Sequence, residues 1–549
     1  MKGTTINACH VGISLPVPKG PRYLRRTMLR ALLAVAAAAA LTACRAPAAT
    51  TAVEPVPGVP ARLPLPEVPL VAGALEPRIS YPQPNQLIGS RDSNFIFGSL
   101  GNGNARLTIN GQAVRVWPNG AFLGYVANPA PTETPAYTLV AGLGADTIRV
   151  TLPVRVPGMP VPEGQRPPSP PPAVITDTTP TWVVLGDSVS ISSDTDRVVI
   201  GRPGPNSVYR WFLLPGTRTQ LTGRYPGFAR IRLDSALEIW VAQEDARTFA
   251  ADTARPRRVA SNARVRSSAE WVDLVIPIAE RPAYFVEEGE RTIDLTLYDT
   301  RGSSDVIAFP TSDSLVRHVE WAQERTDRAR YRLHLSSAPY GYLVLYENNA
   351  LVLRVRRPPP RSAQGALAGL TIAVDAGHPP GGAIGPTGLT EADANLAVAF
   401  RVDSMLRARG ANVYMTRTTR DAVDLGLRSV LARRSGAHAF VSIHYNAYGD
   451  GVNPFRAPNG TEVYYYRMHS EPLARAVQSR LVDYQPLPDQ GIHFRSLAVV
   501  RTSWMPAILT EGGFMMIPEQ ENAMRTPAFQ EQYARAIVDG LEAYFRSRR

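Results

Sequence analysis

Four residues in the last third of this 549-residue chain have the types and spacing for metal-assisted hydrolysis: His378, Glu391, His444 and Glu511. His378 closes the stretch TIAVDAGH, and Glu391 follows a loop rich in glycine and proline, HPPGGAIGPTGLTE. His444 lies in VSIHYNA and Glu511 in PAILTEGGF. Zinc sites that do catalysis take three protein ligands and keep a fourth position for water. Two neutral imidazoles and one carboxylate leave the ion a net positive charge, which lowers the pKa of the water it polarises toward about 7. His378, Glu391 and His444 supply that set. A second carboxylate outside the ligand set must take the proton and pass it to the leaving group. Glu511 fits this role, with Gly512 and Gly513 beside it to let substrate approach. Taken singly, each residue has an ordinary alternative: a histidine at a strand end is often a satisfied polar group, and a glutamate at a helix start complements the helix dipole. The combination carries the argument.

These four need elements to position them. TIAVD, NVYMT, AFVSIH, TEVYYY and PAILTEG read as strands. EADANLAVAFRVDSMLRARG reads as a helix, since Val398, Val402, Met405 and Leu406 fall at i, i+4, i+7 and i+8, with Gly410 as its stop. PAFQEQYARAIVDGLEAYFRSR reads as the last helix. Strands alternating with helices predict an α/β domain over 370–549, with a mostly parallel sheet flanked by helices. Ligands in such sheets sit beyond the carboxyl ends of the strands. His378, His444 and Glu511 would each stand at such an end, and Glu391 would start the helix after the loop.

The same region resembles the zinc-dependent N-acetylmuramoyl-L-alanine amidases of the amidase-3 type. The resemblance rests on VDAGH, GPTGLTEADANLA, TRTTRDAVDLGLRSVLA, SIHYNA, GTEVYYY and PAILTEGGF, which occur in family order. It implies that His378, Glu391 and His444 bind Zn2+ and that Glu511 is the catalytic acid/base. It implies cleavage of the amide between N-acetylmuramic acid and the L-alanine of the stem peptide, with peptidoglycan as partner. The sequence departs from the family pattern in three places. Two prolines follow His378 where the family has a glycine, which stiffens that loop. Gln490 replaces the arginine of the family's Asp-Arg-Gly stretch. The interval between SIHYNA and GTEVYYY is too short for the inhibitory helix of cell-division members. Arg417 and Arg428 are candidates either for binding stem-peptide carboxylates or for structural pairing. Two rivals stand beside the amidase: a zinc peptidase cutting elsewhere in the stem, and a non-catalytic wall-binding lipoprotein.

The remaining two thirds read as an exported carrier. RYLRRTMLR, then the short apolar run ALLAVAAAAAL, then LTAC make a secretory signal over 1–44. The apolar run is shorter than the roughly twenty residues of a membrane-spanning helix. LTAC resembles the lipobox of bacterial lipoproteins, which implies a lipid anchor at Cys44 and, with Arg45 next, the periplasmic face of the outer membrane. Met28 is an alternative start. Residues 45–76 read as a flexible linker. Alternating runs with turn signals such as Asn110-Gly111 and Asn119-Gly120 predict a β-sandwich-like domain over 77–156. A proline-rich linker (157–179), a small β domain (180–258), a β-rich domain (259–357) and a linker (358–369) complete the chain.

Composition limits the alternatives. With only Cys9 and Cys44, neither a disulfide framework nor a cysteine metal site is available beyond residue 44. The net charge of +12 includes six cations before residue 31, and no basic stripe interleaved with aromatics follows, so no nucleic-acid partner is expected. A monomer is expected.

Overall fold

The computed structural model describes residues 64–158, 174–186, 198–248, 256–309 and 313–548. The signal segment, Cys44 and most of the first linker lie outside the described residues. Among the described residues no helix is long and apolar enough to cross a membrane.

Residues 371–547 fold around a six-stranded sheet. Its strands are β1 (Thr371–Ala376), β2 (Asn412–Met415), β3 (Ala439–Asn446), β4 (Thr461–Tyr465), β5 (Asp489–Phe494) and β6 (Ala507–Phe514). The helices are α1 (Glu391–Ala408), α2 (Leu425–Arg434), α3 (Glu471–Tyr484), α4 (Pro518–Met524) and α5 (Pro527–Ser547). The spatial order is β2-β1-β3-β6-β4-β5. The sheet is mixed: β1 runs parallel to β2 and β3, β3 to β6, and β4 to β5, while β4 is antiparallel to β6. Near-continuous apolar runs form β1, β3 and β6 because helices cover both faces. One face packs Ala373, Phe440, Ala507 and Leu509 against Ala432 of α2 and the turn at Val499 and Val500. On the other face α1, α3 and α5 pack on one another and on the sheet. The helical spacing read over 391–409 buries Val398, Val402 and Leu406 as expected; Met405 is half-buried.

The upstream residues are all-β. A three-stranded sheet (Arg78–Tyr81, Ser93–Ser99, Ala121–Ala127) and a four-stranded sheet (Arg106–Ile109, Gln112–Val114, Ala136–Leu143, Asp146–Pro153) share one core, with Ile96, Phe122 and Val126 facing Leu107, Ile109, Tyr137 and Leu139. Asn110-Gly111 is the two-residue turn its type suggests: Ile109 pairs with Gln112, and both turn residues have positive φ (50° and 82°). Asn119-Gly120 is different. It sits in a wider loop in which Trp117 N–H donates to Ala121 O, and of the two only Gly120 has positive φ. A five-stranded sheet built on Ile175–Leu185, Arg218–Tyr225, Phe228–Asp234, Leu237–Ala242 and Ala246–Thr248 comes next. A five- and a four-stranded sheet between residues 263 and 356 then enclose a common core of Val272, Leu274, Leu295, Tyr331, Leu333 and Leu353.

Two linker boundaries shift. The strand Ile175–Leu185 starts inside the segment read as linker up to 179. Residues 71–76, read as tether, are docked: Val71 N–H donates to Pro118 O and Glu76 N–H to Leu100 O, so backbone pairing orders a stretch whose composition looked unstructured.

Candidate active site

β1 ends at Ala376, and Gly377 turns the chain so that His378 stands at the sheet's carboxyl edge. The His444 ring passes so close to Gly377 that a Cβ there would lie 2.3 Å from the ring's Cε1 and Nε2. That contact explains the glycine of VDAGH. His378 itself has a left-handed φ of 58°, and its Nδ1 lies 3.0 Å from Pro380 O. A proton on Nδ1 makes that hydrogen bond and leaves Nε2 as a donor for a metal.

Thr390 caps α1, its side chain accepting from Asp393 N–H, and this puts Glu391 in the first turn. Glu391 is 4% exposed. Its Oε1 lies 3.0 Å from His444 Nδ1 and its Oε2 3.4 Å from His378 Nε2. Ala383 N–H donates to Oε2 at 2.8 Å, which fixes the carboxylate's orientation. The ligand atoms of His378, Glu391 and His444 lie within 4.8 Å of one another. Two imidazoles and a buried carboxylate at this spacing are a donor set suited to zinc. Burial alone would raise the Glu391 carboxyl, but the two imidazoles outweigh it and hold the group well below the usual carboxylate range. Burial would lower His378, and the Glu391 carboxylate beside it wins and raises it.

Register places the fourth residue. His444 on β3 pairs with Glu511 on β6, so both side chains share a face of the sheet. Glu511 Oε2 is out of solvent and has no hydrogen-bond partner. Burial, then the nearby Glu391 and Glu462 carboxylates, raise the Glu511 carboxyl well above its ordinary value. A carboxyl in such surroundings has a raised proton affinity, the property of a group that can accept a proton and pass it on.

Asp375, Arg428 and Arg417 belong beneath the site. Asp375 is fully buried and accepts from Thr416 Oγ1, Arg428 Nη1 (2.8 Å) and Ser442 Oγ (2.6 Å). Arg428 also donates to Ala376 O and Pro379 O. Arg417 donates to Ala376 O, Gly377 O and Ala392 O. Both arginines are buried, at 2% and 5% exposure, so of the two readings the structure favours structural pairing over contact with stem-peptide carboxylates.

Three groups near the site were missed by reading the sequence. Glu462 on β4 pairs in register with Glu511 and accepts from Asn446 Nδ2 and from Tyr464 OH (2.9 Å), with His493 Nε2 2.9 Å away. A lone acid inside an aromatic strand was the signal. Ser442 lies two residues before His444, and its Oγ is 3.1 Å from His444 Nε2. Glu521, buried on α4, accepts from Thr387 N–H and Oγ1 and from Leu389 N–H, and so holds the loop between His378 and Glu391. The interval 447–460 contains no helix, in line with its length.

A family model described as "N-acetylmuramoyl-L-alanine amidase" matches residues 372–543. The germination-specific N-acetylmuramoyl-L-alanine amidase of Bacillus subtilis is 31% identical over 198 residues, which span 33% of this chain and 81% of that protein. The chain belongs to this amidase family. The amidase LytC of B. subtilis is 33% identical over 33% of this chain, and the match spans 36% of LytC. The crystal structure of an N-acetylmuramoyl-L-alanine amidase from Clostridium difficile 630 is 33% identical over 33% of this chain and 99% of that one, with a TM-score of 0.31. The match to the family lies entirely within the mixed-sheet domain, so the amidase domain and the candidate site coincide.

Proposed function

We propose that the chain is a peptidoglycan hydrolase that cleaves the amide between the lactyl group of N-acetylmuramic acid and the L-alanine of the stem peptide. One observation supports this above the rest: a His-Glu-His donor set with ligand atoms within 4.8 Å, beside a carboxyl whose buried oxygen has no partner. His378, Glu391 and His444 would hold Zn2+, which when bound supplies a Lewis acid for the scissile carbonyl and for water. Glu511 takes the proton from the attacking water. It then delivers that proton to the alanine nitrogen as the C–N bond breaks, so the lactyl carboxylate and the free amine leave together. Glu391 orients both imidazoles, and Asp375 with Arg428 and Arg417 fixes the turn that carries His378.

The all-β residues upstream divide into a sandwich (77–156, with residues 71–76 docked on it), a small β domain (180–258, its first strand reaching back to Ile175) and a β-rich domain (259–357). Export, a lipid anchor at Cys44, the periplasmic face of the outer membrane and a monomeric state complete the reading; LTAC and the basic-apolar segment before it support the first three.

The test is mass spectrometry of purified muropeptides digested by the full chain, with and without a chelator. A free lactyl carboxyl and a free L-alanine amine are expected. Cleavage elsewhere in the stem would make the chain a peptidase, and intact muropeptides with zinc-loaded protein would make it a binding protein.

A further inference from the structure

The N-terminal sandwich touches each of the three loops that leave the site. After His378, Ile384 packs in an aromatic cluster with Phe95, Phe97 and Trp117, and Ser80 Oγ donates to Pro386 O at 3.1 Å. After Glu511, Met516 is 1% exposed within the same cluster, and Ile517 packs against it. After His444, Asp450 is gripped by the sandwich from three sides. Tyr81 OH donates to it, Gly89 N–H donates at 2.6 Å, and Asn94 Nδ2 donates at 3.2 Å. Asn94, fully buried, also accepts from Gly451 N–H at 2.9 Å, and Tyr125 OH donates to Gly451 O at 2.9 Å.

We propose that this sandwich is a working part of the catalytic site, with Asp450 as the positioning residue through which it fixes the loops after His378, His444 and Glu511. The inference rests on the amidase reading above. Loops are the parts of a fold that open most easily, with few buried contacts of their own. A site tolerates only about 0.5 Å of looseness in its reacting groups, so whatever holds its loops governs its rate. Here the loop after His444 has no regular secondary structure between residues 447 and 460. Its anchor is instead an acid whose acceptor oxygens are met by a side-chain hydroxyl, a backbone amide and a buried amide. Tyr81 stays a hydroxyl donor, because burial and the Asp450 charge both raise its proton affinity. The same ring stacks on Phe97 at a centroid distance of 5.6 Å, so polar anchor and apolar cluster are one unit.

The experiment compares Asp450→Ala, Asp450→Asn, Asn94→Ala and Tyr81→Phe in the full chain. It reads kcat and KM on muropeptides, the rate of zinc release to a chelator, and thermal unfolding. Asp450→Ala and Asn94→Ala are expected to lower kcat at least about tenfold, with KM within about threefold. Zinc release quickens, and Asp450→Asn, which keeps one acceptor oxygen, recovers part of the loss. Unchanged kcat, KM and zinc release in both alanine variants, even with a lower unfolding temperature, overturn the proposal. Tyr81→Phe keeps the stacked ring and decides the matter if the alanine variants do not fold. An inactive parent chain defeats the amidase reading instead, and zinc release then still tests the positioning role.

Discussion

Replacing Gly377 by alanine probes the site through one methyl group. That methyl would lie 2.3 Å from Cε1 and Nε2 of His444 and 2.7 Å from its Cδ2. Unstrained carbon contacts lie at roughly 3.5–4.0 Å, so either the ring or the turn must move by about 1.2 Å. The ring is held by Glu391 Oε1 at 3.0 Å and Ser442 Oγ at 3.1 Å. The turn is no freer: Gly377 N–H donates to Ile443 O at 3.0 Å, and its carbonyl accepts from Asn395 Nδ2 and Arg417 Nη2, both at 3.0 Å. The displacement therefore falls on the geometry of the His378, Glu391 and His444 cluster. Losses of this kind run to about 10–100-fold in metal affinity. An ångström of misplacement costs about 10²-fold in rate. The overpacking itself costs about 1–3 kcal/mol of stability.

The assay is zinc content at buffered free zinc, initial rates on muropeptides, and thermal unfolding. Gly449→Ala is the control for an added methyl, since Gly449 has no positive φ and has nothing within 4 Å of its added Cβ. A Gly377→Ala chain that binds zinc and turns over within about threefold of the parent would refute the reasoning, because steric strain of this size cannot then be reaching His444.

Glu511→Gln should lower the rate by about 10²–10⁴-fold with zinc content unchanged, and loss of the metal as well would make Glu511 a ligand or a structural group. Asp375→Ala leaves the buried Arg428 guanidinium without its acid, and about 3–5 kcal/mol should disappear from thermal unfolding of the amidase domain. A chelator should lower both activity and unfolding temperature, with zinc restoring both, whereas a chelator-indifferent chain would deny the metal any role. His438 gives a pH dependence. Burial, then the Arg356 charge, press its imidazole down to about 4, while Nδ1 accepts from Thr371 N–H at 3.0 Å. The folded ring is neutral where the unfolded ring would take a proton. Its contribution is therefore whole above about pH 6.5 and is lost as pH falls toward 4, worth at most about 3 kcal/mol before solvent screening. His438→Gln should flatten that slope of stability against pH, and an unchanged slope would assign it to other groups.

The His378, Glu391 and His444 cluster was legible because local pattern and chemistry agreed. His378 and His444 each close an apolar run, and Glu391 follows a threonine cap, so each is placed by its own neighbours in sequence. Glu462 was not legible for the opposite reason. Its role comes from β4 lying between β6 and β5 in the sheet, an order that no periodicity along the chain reveals. Arg417 and Arg428 were ambiguous because a charged residue on or near a helix reads the same whether it faces solvent or a buried aspartate. Only the contacts to Asp375 and to the carbonyls of the His378 turn separate the two. Asp450 was further still from reach, since its partners Tyr81, Gly89 and Asn94 lie more than 350 positions upstream. The residues that could do chemistry thus announce themselves locally, while those that hold them still are found only when distant strands meet. A variant chosen from the motifs alone would test the reaction, and one chosen from Asp450 or Gly377 tests why the reaction has a fixed place to happen.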